Sequence, residues 1–370
     1  MYCNAPFCSI KLKDDKASIC CNDNYIINTN NQWYNNDILR KSILTNTITK
    51  KCKNCNLKNL YDNLSEFEEN IVKYNILQYC KKTYNYKVFF ADITLGHLCN
   101  NDCMICQKIK VNQDIKSTLS KNNIEILLKN KDNITRCIFM GGESFLYTKE
   151  ILYYIKQFKN LKFLSIVSNG SLYDREFLEY LDKLHIDVNI TISIDGNCKT
   201  NNLIRVKSNY NRIINNIIRI SKFKNIKLGF NVTVSLLNCL DISSIISDIY
   251  SVCLKNNITA TLTLNKLIYP FYLCIDNIDD ENIENILSRE LMVIRKYNDK
   301  FLNIKDYSDI AINKKGYTTK FFKARMIKLF YDYEKKYNIH YSSYLNSNMK
   351  NFIFENKNNI FNGELYDYKI

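Results

Sequence analysis

The sequence is poor in the residues that interrupt regular structure. Among 370 residues there are only 2 prolines and 8 glycines. Because proline and glycine mark turns and linkers, their scarcity excludes a string of small domains and predicts one large domain with appendages. No stretch reaches the roughly 18 apolar residues of a membrane span, and the N-terminus lacks the basic and apolar segments of a signal peptide. We therefore expect a cytoplasmic protein with no membrane partner.

Acidic residues are also fewer than basic ones. Asp and Glu number 37 against 52 Lys and Arg, which leaves a formal net charge of +15. Such a charge suits a polyanionic partner. The lysines are scattered, however, through a background rich in Asn, Ile and Tyr, which indicates compositional bias. A nucleic-acid partner is therefore an alternative that only the charge suggests.

Cysteine, by contrast, is abundant, with 15 in the chain. A disulfide framework is typical of small secreted proteins, and neither the length nor the N-terminus fits that class. Reduced thiols that bind metal are the better interpretation. Three of the thiols, Cys99, Cys103 and Cys106, lie close together in the segment LGHLCNNDCMICQ, residues 95–107.

Residues 86–265 alternate β-rich runs with stretches of helical length. The runs are dense in β-branched and aromatic residues with little polar alternation, which predicts strands buried on both faces. There are six of them: KVFFADIT, TRCIFM, KFLSIVS, DVNITISI, KLGFNVTV and ATLTLN. Strands that alternate with helices form a parallel sheet. Six such units predict an α/β fold, an open six-strand barrel with its active site at the carboxyl ends of the strands.

The three-cysteine segment comes directly after the first of these strands. Incidental buried thiols, or a zinc site that borrows a remote fourth ligand, are the alternatives. The loop position and the gaps of three and then two residues argue against both. Three thiolates on a four-iron cluster leave one iron open for an exchangeable ligand. The missing fourth cysteine therefore favours a cluster with an open iron.

The pattern CxxxCxxC, with the apolar Ile105 before the last cysteine, resembles the signature of the radical S-adenosylmethionine (radical SAM) enzymes. The resemblance extends over the whole predicted barrel. It implies a partial (β/α)6 barrel, a [4Fe-4S] cluster on Cys99, Cys103 and Cys106, and S-adenosylmethionine as the ligand of the open iron. It also implies reductive cleavage of S-adenosylmethionine to a 5′-deoxyadenosyl radical, with an electron donor such as flavodoxin or ferredoxin as partner.

Segments after the second to fifth strands resemble the cofactor-binding motifs of the same family. In MGGES, Gly141 and Gly142 permit close backbone approach, and Glu143 supplies a carboxylate for the methionine ammonium. Ser168 in VSNGS, and Ser193 and Asp195 in ISIDG, correspond to the place where similar enzymes hold the ribose hydroxyls and the methionine carboxylate. Asn231 and Val232 in FNVTV correspond to the segment that flanks the adenine in those enzymes. Arg205 is the cation that we expect to pair with the methionine carboxylate.

The cysteine-rich N-terminal segment, from MYCNAPFC to KKCKNC, resembles the Twitch or SPASM auxiliary-cluster modules. Such modules usually follow the barrel, whereas this one precedes it. The resemblance implies a second [4Fe-4S] cluster on four thiolates: Cys3, either Cys20 or Cys21, Cys52 and Cys55. A zinc-binding module is the alternative, because four cysteines with a CxxC arm also suit zinc.

These segments divide the chain into four parts. They are a Twitch-like module (residues 1–64), a linker helix (65–85), the radical SAM core (86–280) and a helical C-terminal extension (281–370). Auxiliary-cluster enzymes of this type commonly modify a peptide or protein side chain, which is the substrate we expect. The alternatives are dehydrogenation or epimerisation of a sugar or nucleotide-linked small molecule, and a non-catalytic iron–sulfur protein that binds nucleic acid.

If both clusters are present, anaerobically reconstituted protein should contain about eight iron and about eight sulfide per chain. Replacing Cys52 and Cys55 together by alanine should halve both numbers, because the auxiliary cluster would lose two of its thiolates. Colorimetric iron and sulfide assays, with zinc measured by mass spectrometry, test this. About four iron together with stoichiometric zinc in the wild type would make the N-terminal module a zinc site instead.

Overall fold

The structure of the chain is a computed structural model that describes residues 9–18, 26–27, 88–106, 119–305, 310, 312 and 319–354. The predicted linker helix at 65–85 lies outside these residues. So do all the predicted ligands of the auxiliary cluster: Cys3, Cys20, Cys21, Cys52 and Cys55.

Ten of the described strands form one sheet. In chain order the strands are β1 (Ser9–Lys13), β2 (Lys16–Ser18), β3 (Ile26–Ile27), β4 (Phe90–Thr94), β5 (Asp102–Cys103), β6 (Arg136–Met140), β7 (Phe163–Ser168), β8 (Asp187–Ser193), β9 (Arg205–Val206), β10 (Ile226–Val234), β11 (Ala260–Lys266) and β12 (Leu302–Lys305). The order across the sheet is β12-β11-β10-β8-β7-β6-β4-β1-β2-β3, and β5 pairs separately with β9 in a short antiparallel ladder.

Helices connect most of these strands. In chain order they are α1 (Lys121–Lys129), α2 (Thr148–Gln157), α3 (Arg175–Asp182), α4 (Cys198–Ile204), α5 (Tyr210–Ile220), α6 (Ile242–Lys255), α7 (Glu281–Val293), α8 (Thr319–Tyr337) and α9 (Ser347–Phe354). Within the described residues, no helix is long and apolar enough to cross a membrane.

The six predicted barrel strands are confirmed as β4, β6, β7, β8, β10 and β11. They are neighbours in that order, and each adjacent pair is parallel. An order that runs one way along the sheet winds the chain in a single direction, as in a (β/α) barrel, whereas the strand order of a doubly wound sheet reverses. A further parallel strand, β12, lies beside β11 at one edge. The α/β class and the barrel-type winding predicted from the sequence are therefore both correct.

The prediction that the strands are buried on both faces is wrong for the central strands. In β8, Val188, Ile190 and Ile192 are fully buried, while Asn189 and Thr191 between them are only half-buried. The same alternation continues through β10 and β11. Side chains of successive strand residues point to opposite faces, so one face is apolar and the other is polar. Amphipathic helices cover the apolar face, which leaves the polar face to line the inside of the barrel.

Local capping explains where several helices begin. Helices α1, α3, α4, α5 and α7 each start after a side chain that accepts a hydrogen bond from a backbone N–H of the first turn. A cap of this kind typically contributes about 1 kcal/mol to helix stability. The capping residues are Ser120, Asp174, Asn197, Asn209 and Asp280.

The described part of the N-terminal segment is a hairpin that extends the barrel sheet. Strand β1 pairs in parallel with β4, and β1 and β2 are joined by a turn at Asp14 and Asp15. The buried side chain of Asn123 on α1 donates hydrogen bonds to the carbonyls of Asp14 and Lys16, at 2.9 and 3.0 Å. Since β1 and β4 run the same way, the turn lies at the carboxyl edge of the sheet. The turn of the hairpin is thus at the side where a barrel has its active site.

Two adjacent residues of β8 test the one-sided burial. We expect Ile190→Ala to lower the free energy of unfolding by about 2–5 kcal/mol, because it leaves a cavity between the sheet and its helices. Thr191→Ala, on the polar face, should cost at most about 1 kcal/mol. Urea unfolding followed by circular dichroism compares the two variants. Equal losses would contradict the assignment of one apolar and one polar face.

Candidate functional site

The three-cysteine segment forms a loop, residues 95–106, at the carboxyl end of β4. The loop leaves the sheet beside β6, where the backbone N–H of Leu95 donates to the carbonyl of Met140 at 3.1 Å. It then crosses the segment that follows β6: the N–H groups of Gly142 and Glu143 donate to the carbonyls of Gly96 and Leu98, both at 2.8 Å. The MGGES motif is therefore bound directly to the cysteine loop by backbone hydrogen bonds.

The two glycines of this motif allow the loops to approach closely. A Cβ atom added to Gly142 would lie 1.9 Å from the carbonyl oxygen of Leu98, and one added to Gly141 would lie 2.7 Å from that of Gly96. Gly141 also has φ = +145°, a conformation that other residues rarely adopt. Sequence analysis predicted that these glycines permit close backbone approach, and the backbone that approaches in this structure is the cysteine loop.

Glu143 is a fully buried carboxylate that connects β6 to β7. One oxygen accepts hydrogen bonds from the backbone N–H of Phe145 at 3.0 Å and from the Ser168 hydroxyl at 2.7 Å. The other accepts from the N–H of Asn169 at 2.7 Å. Burial raises the pKa of Glu143, while these three donors and Arg205 lower it in part. The Glu143 carboxylate therefore accepts hydrogen bonds from three groups of the protein itself.

Asn169, which follows Ser168 in VSNGS, continues the chain of contacts to the cysteines. Its side-chain nitrogen donates to the carbonyl oxygen of the Asn100 side chain at 2.8 Å and lies 3.8 Å from Sγ of Cys99. Its own carbonyl oxygen accepts from the N–H of Ser171 at 2.9 Å. Glu143 holds the backbone of Asn169, and Asn169 in turn contacts the first cysteine.

The three thiols lie at different depths in the loop. Cys99 and Cys103 are half-buried, whereas Cys106 is exposed. A turn places the last two together, because the N–H of Cys106 donates to the carbonyl of Cys103 at 3.1 Å. Burial raises the pKa of Cys103 to about 12, with a smaller opposing effect from the Arg205 guanidinium. The positive charge of Arg205 thus favours the thiolate that a metal ligand must provide.

Arg205 is next to the cysteine loop because strand β9 pairs with β5, in a register that sets Cys103 opposite Arg205. The guanidinium forms an ion pair with Asp195 at 2.7 Å, and both side chains are largely buried. Burial lowers the pKa of Arg205, but the carboxylate of Asp195 and the Cys103 thiol raise it by more. Two residues expected to contact different parts of a cofactor therefore contact each other.

The remaining predicted cofactor residues lie at the carboxyl ends of β8 and β10. Asp195 accepts a hydrogen bond from the N–H of Thr233 at 2.7 Å, which ties the ends of these two strands together. Ser193 and Asn231 are paired across the same strands. Val232, however, is fully buried and alternates with Asn231, so it belongs to the apolar face. A direct side-chain contact of Val232 with the adenine is therefore not expected.

Unpaired polar atoms identify this rim as a place for a bound polar group. The Asn101 side chain is buried within the cysteine loop, and neither its nitrogen nor its oxygen has a hydrogen-bond partner among the described residues. The same holds for Nε of Arg205 and Oγ of Ser171. Buried polar groups in proteins are nearly always paired, so orphaned ones call for a ligand or water. They fit a cofactor with amino, carboxylate and hydroxyl groups.

The thiols fit a cluster better than a single ion. In the described part of the chain, no group of three His, Cys, Asp or Glu side chains is placed to share one metal ion. A four-iron cluster makes no such demand, because each thiolate binds a different iron atom. Three free thiols in one loop, beside the buried guanidinium of Arg205, match that donor set.

The structure brings most of the predicted residues to one rim but also adds residues that sequence reasoning missed. Besides Asn169, these include Tyr147, which is fully buried and accepts a hydrogen bond from the N–H of Leu98 at 3.0 Å. At the other side of the loop, His97 Nε2 lies 2.9 Å from both carboxylate oxygens of Asp14 in the N-terminal hairpin. Asn169 could have been found from its place at a strand end. Nothing in the local sequence marks Tyr147 or the Asp14–His97 contact.

Comparison with known families identifies one match. Residues 93–237 match the model of the Radical SAM superfamily. The matched segment begins in β4 and ends beyond β10, so it includes the cysteine loop and every strand end described above. No curated protein matches the chain.

Solved structures that resemble this chain are distant in sequence. Native anSMEcpe with bound AdoMet is 17% identical with a TM-score of 0.45, and the match covers 58% of this chain and 63% of that one. Streptococcus suis SuiB bound to precursor peptide SuiA is 16% identical with a TM-score of 0.46, covering 84% and 69%. The FeFe-hydrogenase maturase HydG from Carboxydothermus hydrogenoformans is 15% identical with a TM-score of 0.39, covering 72% and 80%. This chain thus spans less than two thirds of anSMEcpe.

The glycine contact gives a direct test of the site. In Gly142→Ala the new methyl group would collide with the carbonyl of Leu98, so the cysteine loop must shift. We expect reconstituted Gly142→Ala to bind much less iron than wild type, while circular dichroism still shows a folded α/β protein. Gly229→Ala is the control, since the nearest atoms to its Cβ would be side-chain atoms of Thr191, Thr261 and Asn189, at 3.1 Å or more. Full iron content in Gly142→Ala would contradict the placement of the two loops.

Proposed function

We propose that this chain, in which residues 93–237 match the model of the Radical SAM superfamily, is a radical SAM enzyme that cleaves S-adenosylmethionine reductively to start a radical reaction. Membership implies a [4Fe-4S] cluster and S-adenosylmethionine. When bound, the reduced cluster supplies the electron that splits S-adenosylmethionine into methionine and a 5′-deoxyadenosyl radical, which abstracts hydrogen from a substrate.

One observation carries this proposal. Backbone hydrogen bonds join the loop that carries the three cysteines to Gly142 and Glu143, and the buried Glu143 carboxylate in turn binds Ser168 and Asn169, all at the carboxyl edge of a parallel sheet. A structural zinc site would need a fourth ligand beside the three thiols. The loop offers instead three thiols and a set of unpaired polar atoms, which suits a cluster that exchanges a polar ligand.

We assign Cys99, Cys103 and Cys106 as the ligands of the cluster. Arg205, next to Cys103, stabilises the thiolate form and offsets the negative charge of the bound group. The loop carbonyls of Gly96 and Leu98 accept hydrogen bonds from the N–H groups of Gly142 and Glu143, so the contact with MGGES holds the backbone of the cysteine loop in place before the cluster binds. Such preorganisation lowers the cost of ordering the loop on binding.

We propose that Glu143 binds the methionine ammonium and at the same time organises the end of β7. A carboxylate can accept about four hydrogen bonds. Among the described residues, Glu143 accepts three, from the N–H groups of Phe145 and Asn169 and from the hydroxyl of Ser168. Those donors oppose the rise that burial causes in the pKa of Glu143, and a nearby cation such as the methionine ammonium would oppose it further. Removal of the Glu143 carboxylate is therefore expected to disturb Ser168 and Asn169 as well as the cofactor.

We propose that the groups around β8 and β10 hold the rest of S-adenosylmethionine. Ser193 and Asn231 offer hydroxyl and amide groups at the rim, and the ion pair of Asp195 with Arg205 provides a carboxylate beside a guanidinium whose Nε is unpaired among the described residues. Arg205 can meet the methionine carboxylate through that free donor while it keeps its bond to Asp195. Asp195 then positions Arg205 in addition to facing the ribose.

For the substrate we propose a peptide or protein side chain. The support is the resemblance of the N-terminal cysteines to auxiliary-cluster modules, whose enzymes commonly take peptides. The inner face of β10 and β11 adds a chemical restriction: it presents Asn231, Thr233, Thr261, Thr263 and Asn265. Uncharged amides and hydroxyls of this kind pair well with a peptide backbone. They would also suit a sugar or nucleotide-linked molecule, which is why that substrate class is the second candidate.

We also propose an auxiliary [4Fe-4S] cluster in the N-terminal segment and flavodoxin or ferredoxin as the electron donor. The hairpin turn at the carboxyl edge of the sheet, with Asp14 bound to His97 of the cysteine loop, supports an N-terminal segment that reaches the site. An auxiliary cluster near the site could accept an electron from a substrate radical. The iron and zinc measurement given above decides whether such a cluster is present.

Reconstituted protein with dithionite and S-adenosylmethionine should produce 5′-deoxyadenosine and methionine, measured by liquid chromatography and mass spectrometry. Cys103→Ala should give no product above background, because one thiolate ligand is lost. Cys253→Ala, which removes a buried thiol from helix α6, is the matched control and should keep activity. Product levels in wild type no higher than in Cys103→Ala would refute the assignment and leave a non-catalytic iron–sulfur protein as the alternative.

A further inference from the structure

Asp102, which lies between two of the proposed cluster ligands, is held by side chains of the C-terminal helix α8. Its carboxylate lies 2.6 Å from Nζ of Lys336 and accepts hydrogen bonds from the hydroxyls of Tyr333, at 3.3 Å, and Tyr337. These partners follow Asp102 in the chain by 231 positions or more. A segment outside the family match therefore contacts the cysteine loop directly.

Both sides of this contact are fixed independently. The ladder of β5 with β9 sets the backbone of Asp102 opposite Val206, and the Asp102 side chain is only 15% exposed. On α8, Lys336 and Tyr337 follow Tyr333 by three and four positions, so all three donors lie on the same side of the helix. The rings of Tyr333 and Tyr337 pack at 5.8 Å between centroids, which keeps the two hydroxyls together.

Helix α8 is itself anchored to the barrel. Met326, Ile327 and Phe330 are buried in the main hydrophobic core, and α8 packs against the short 3-10 segment Phe271–Leu273 that follows β11. The donor face of α8 is thus presented to Asp102 by a helix with a fixed position. A loose surface contact would not have this support.

The charges of this contact bear on the bound group. A four-iron cluster with thiolate ligands is anionic overall, and its reduction adds a further negative charge. A carboxylate one residue away from Cys103 opposes both binding and reduction unless cations and hydroxyl donors offset it. Lys336, Tyr333 and Tyr337 are those groups. Their hydrogen bonds also hold the Asp102 carboxylate against helix α8.

We propose that helix α8 is a positioning element for the cysteine loop, and that Asp102, Tyr333, Lys336 and Tyr337 control how firmly the loop holds its cluster and at what potential the cluster is reduced. The inference rests on the proposed function, since it supposes a cluster on the three cysteines. It assigns to the C-terminal extension a role beyond completing the fold. None of these four residues touches the reacting atoms, and each acts through the position and charge of the loop.

The experiment uses the whole chain. In every sample Cys52 and Cys55, two of the four proposed auxiliary ligands, are replaced by alanine, so that only the cluster on the cysteine loop is measured. Iron and sulfide are counted after anaerobic reconstitution, and the rate of iron loss to a chelator is followed by absorbance. In Asp102→Asn and in the double variant Tyr333→Phe with Tyr337→Phe, we expect iron to be lost roughly 10- to 100-fold faster than in the parent. Thermal melting of the apo proteins should stay close to that of the parent.

The reduction potential distinguishes this role from a merely structural one. Titration followed by electron paramagnetic resonance should give a higher potential in Asp102→Asn, because a negative charge next to the cluster is removed, and a lower potential in Lys336→Met, because the compensating cation is removed. Disruption of the fold alone would not shift the two potentials in opposite directions. Asp332→Asn is the matched control: it removes a carboxylate from α8 that pairs with Lys328 at 3.8 Å, and it should change neither quantity.

Two outcomes separate this inference from the proposed function. If the parent protein binds no iron, the proposed function fails and α8 has no cluster to position. If the parent binds about four iron, but all variants lose it at the parent rate and keep its potential, α8 is only a packing element. Equal effects of Asp332→Asn and Asp102→Asn would likewise overturn the inference.

Discussion

The constraint on which the site depends is the close contact between two loop backbones, residues 95–98 and 141–143. Hydrogen bonds of 2.8 Å join them, and the space between them admits no Cβ atom at Gly142. Because this contact fixes the chain after β6, the side chain of its last residue, Glu143, is fully buried. A buried carboxylate must find donors, and those within reach are at the end of β7. The order of the whole rim follows from this one contact.

The rim has two halves, one around Glu143 at the ends of β6 and β7 and one around Asp195 at the ends of β8 and β10. Buried charge is stabilised differently in each half. Glu143 accepts hydrogen bonds from Ser168 and from backbone N–H groups, whereas Asp195 has an ion pair with Arg205 in addition to a backbone donor. The ladder between β5 and β9 connects the second half to the cysteines, as Asn169 connects the first. The cysteine loop is therefore supported from both halves. A loop held in this way needs little rearrangement when it binds a charged group.

The two ends of the chain both reach the same loop. Asp14 in the N-terminal hairpin contacts His97, and Lys336 in helix α8 contacts Asp102. The segment that matches the Radical SAM superfamily model supplies the thiols, and the segments on either side of it contact the loop that carries them. Residues inside the matched segment and residues outside it thus meet within a few positions of the cysteines.

Local sequence determined the strands, most of the helices and the spacing of the three cysteines. A run such as DVNITISI forms a strand because of its own composition, and CxxxCxxC with MGGES marks a site because a few neighbouring residues suffice for each part. The polar inner face of β8 was within reach of the same reasoning, since Asn189 and Thr191 alternate with buried residues, and it was overlooked. Only the tertiary structure decided that Arg205 pairs with Asp195, that Tyr147 holds Leu98, and that α8 meets Asp102. The reason is physical: strand and helix formation depend on residues a few positions apart, whereas these contacts join elements whose approach is set by the packing of the whole barrel.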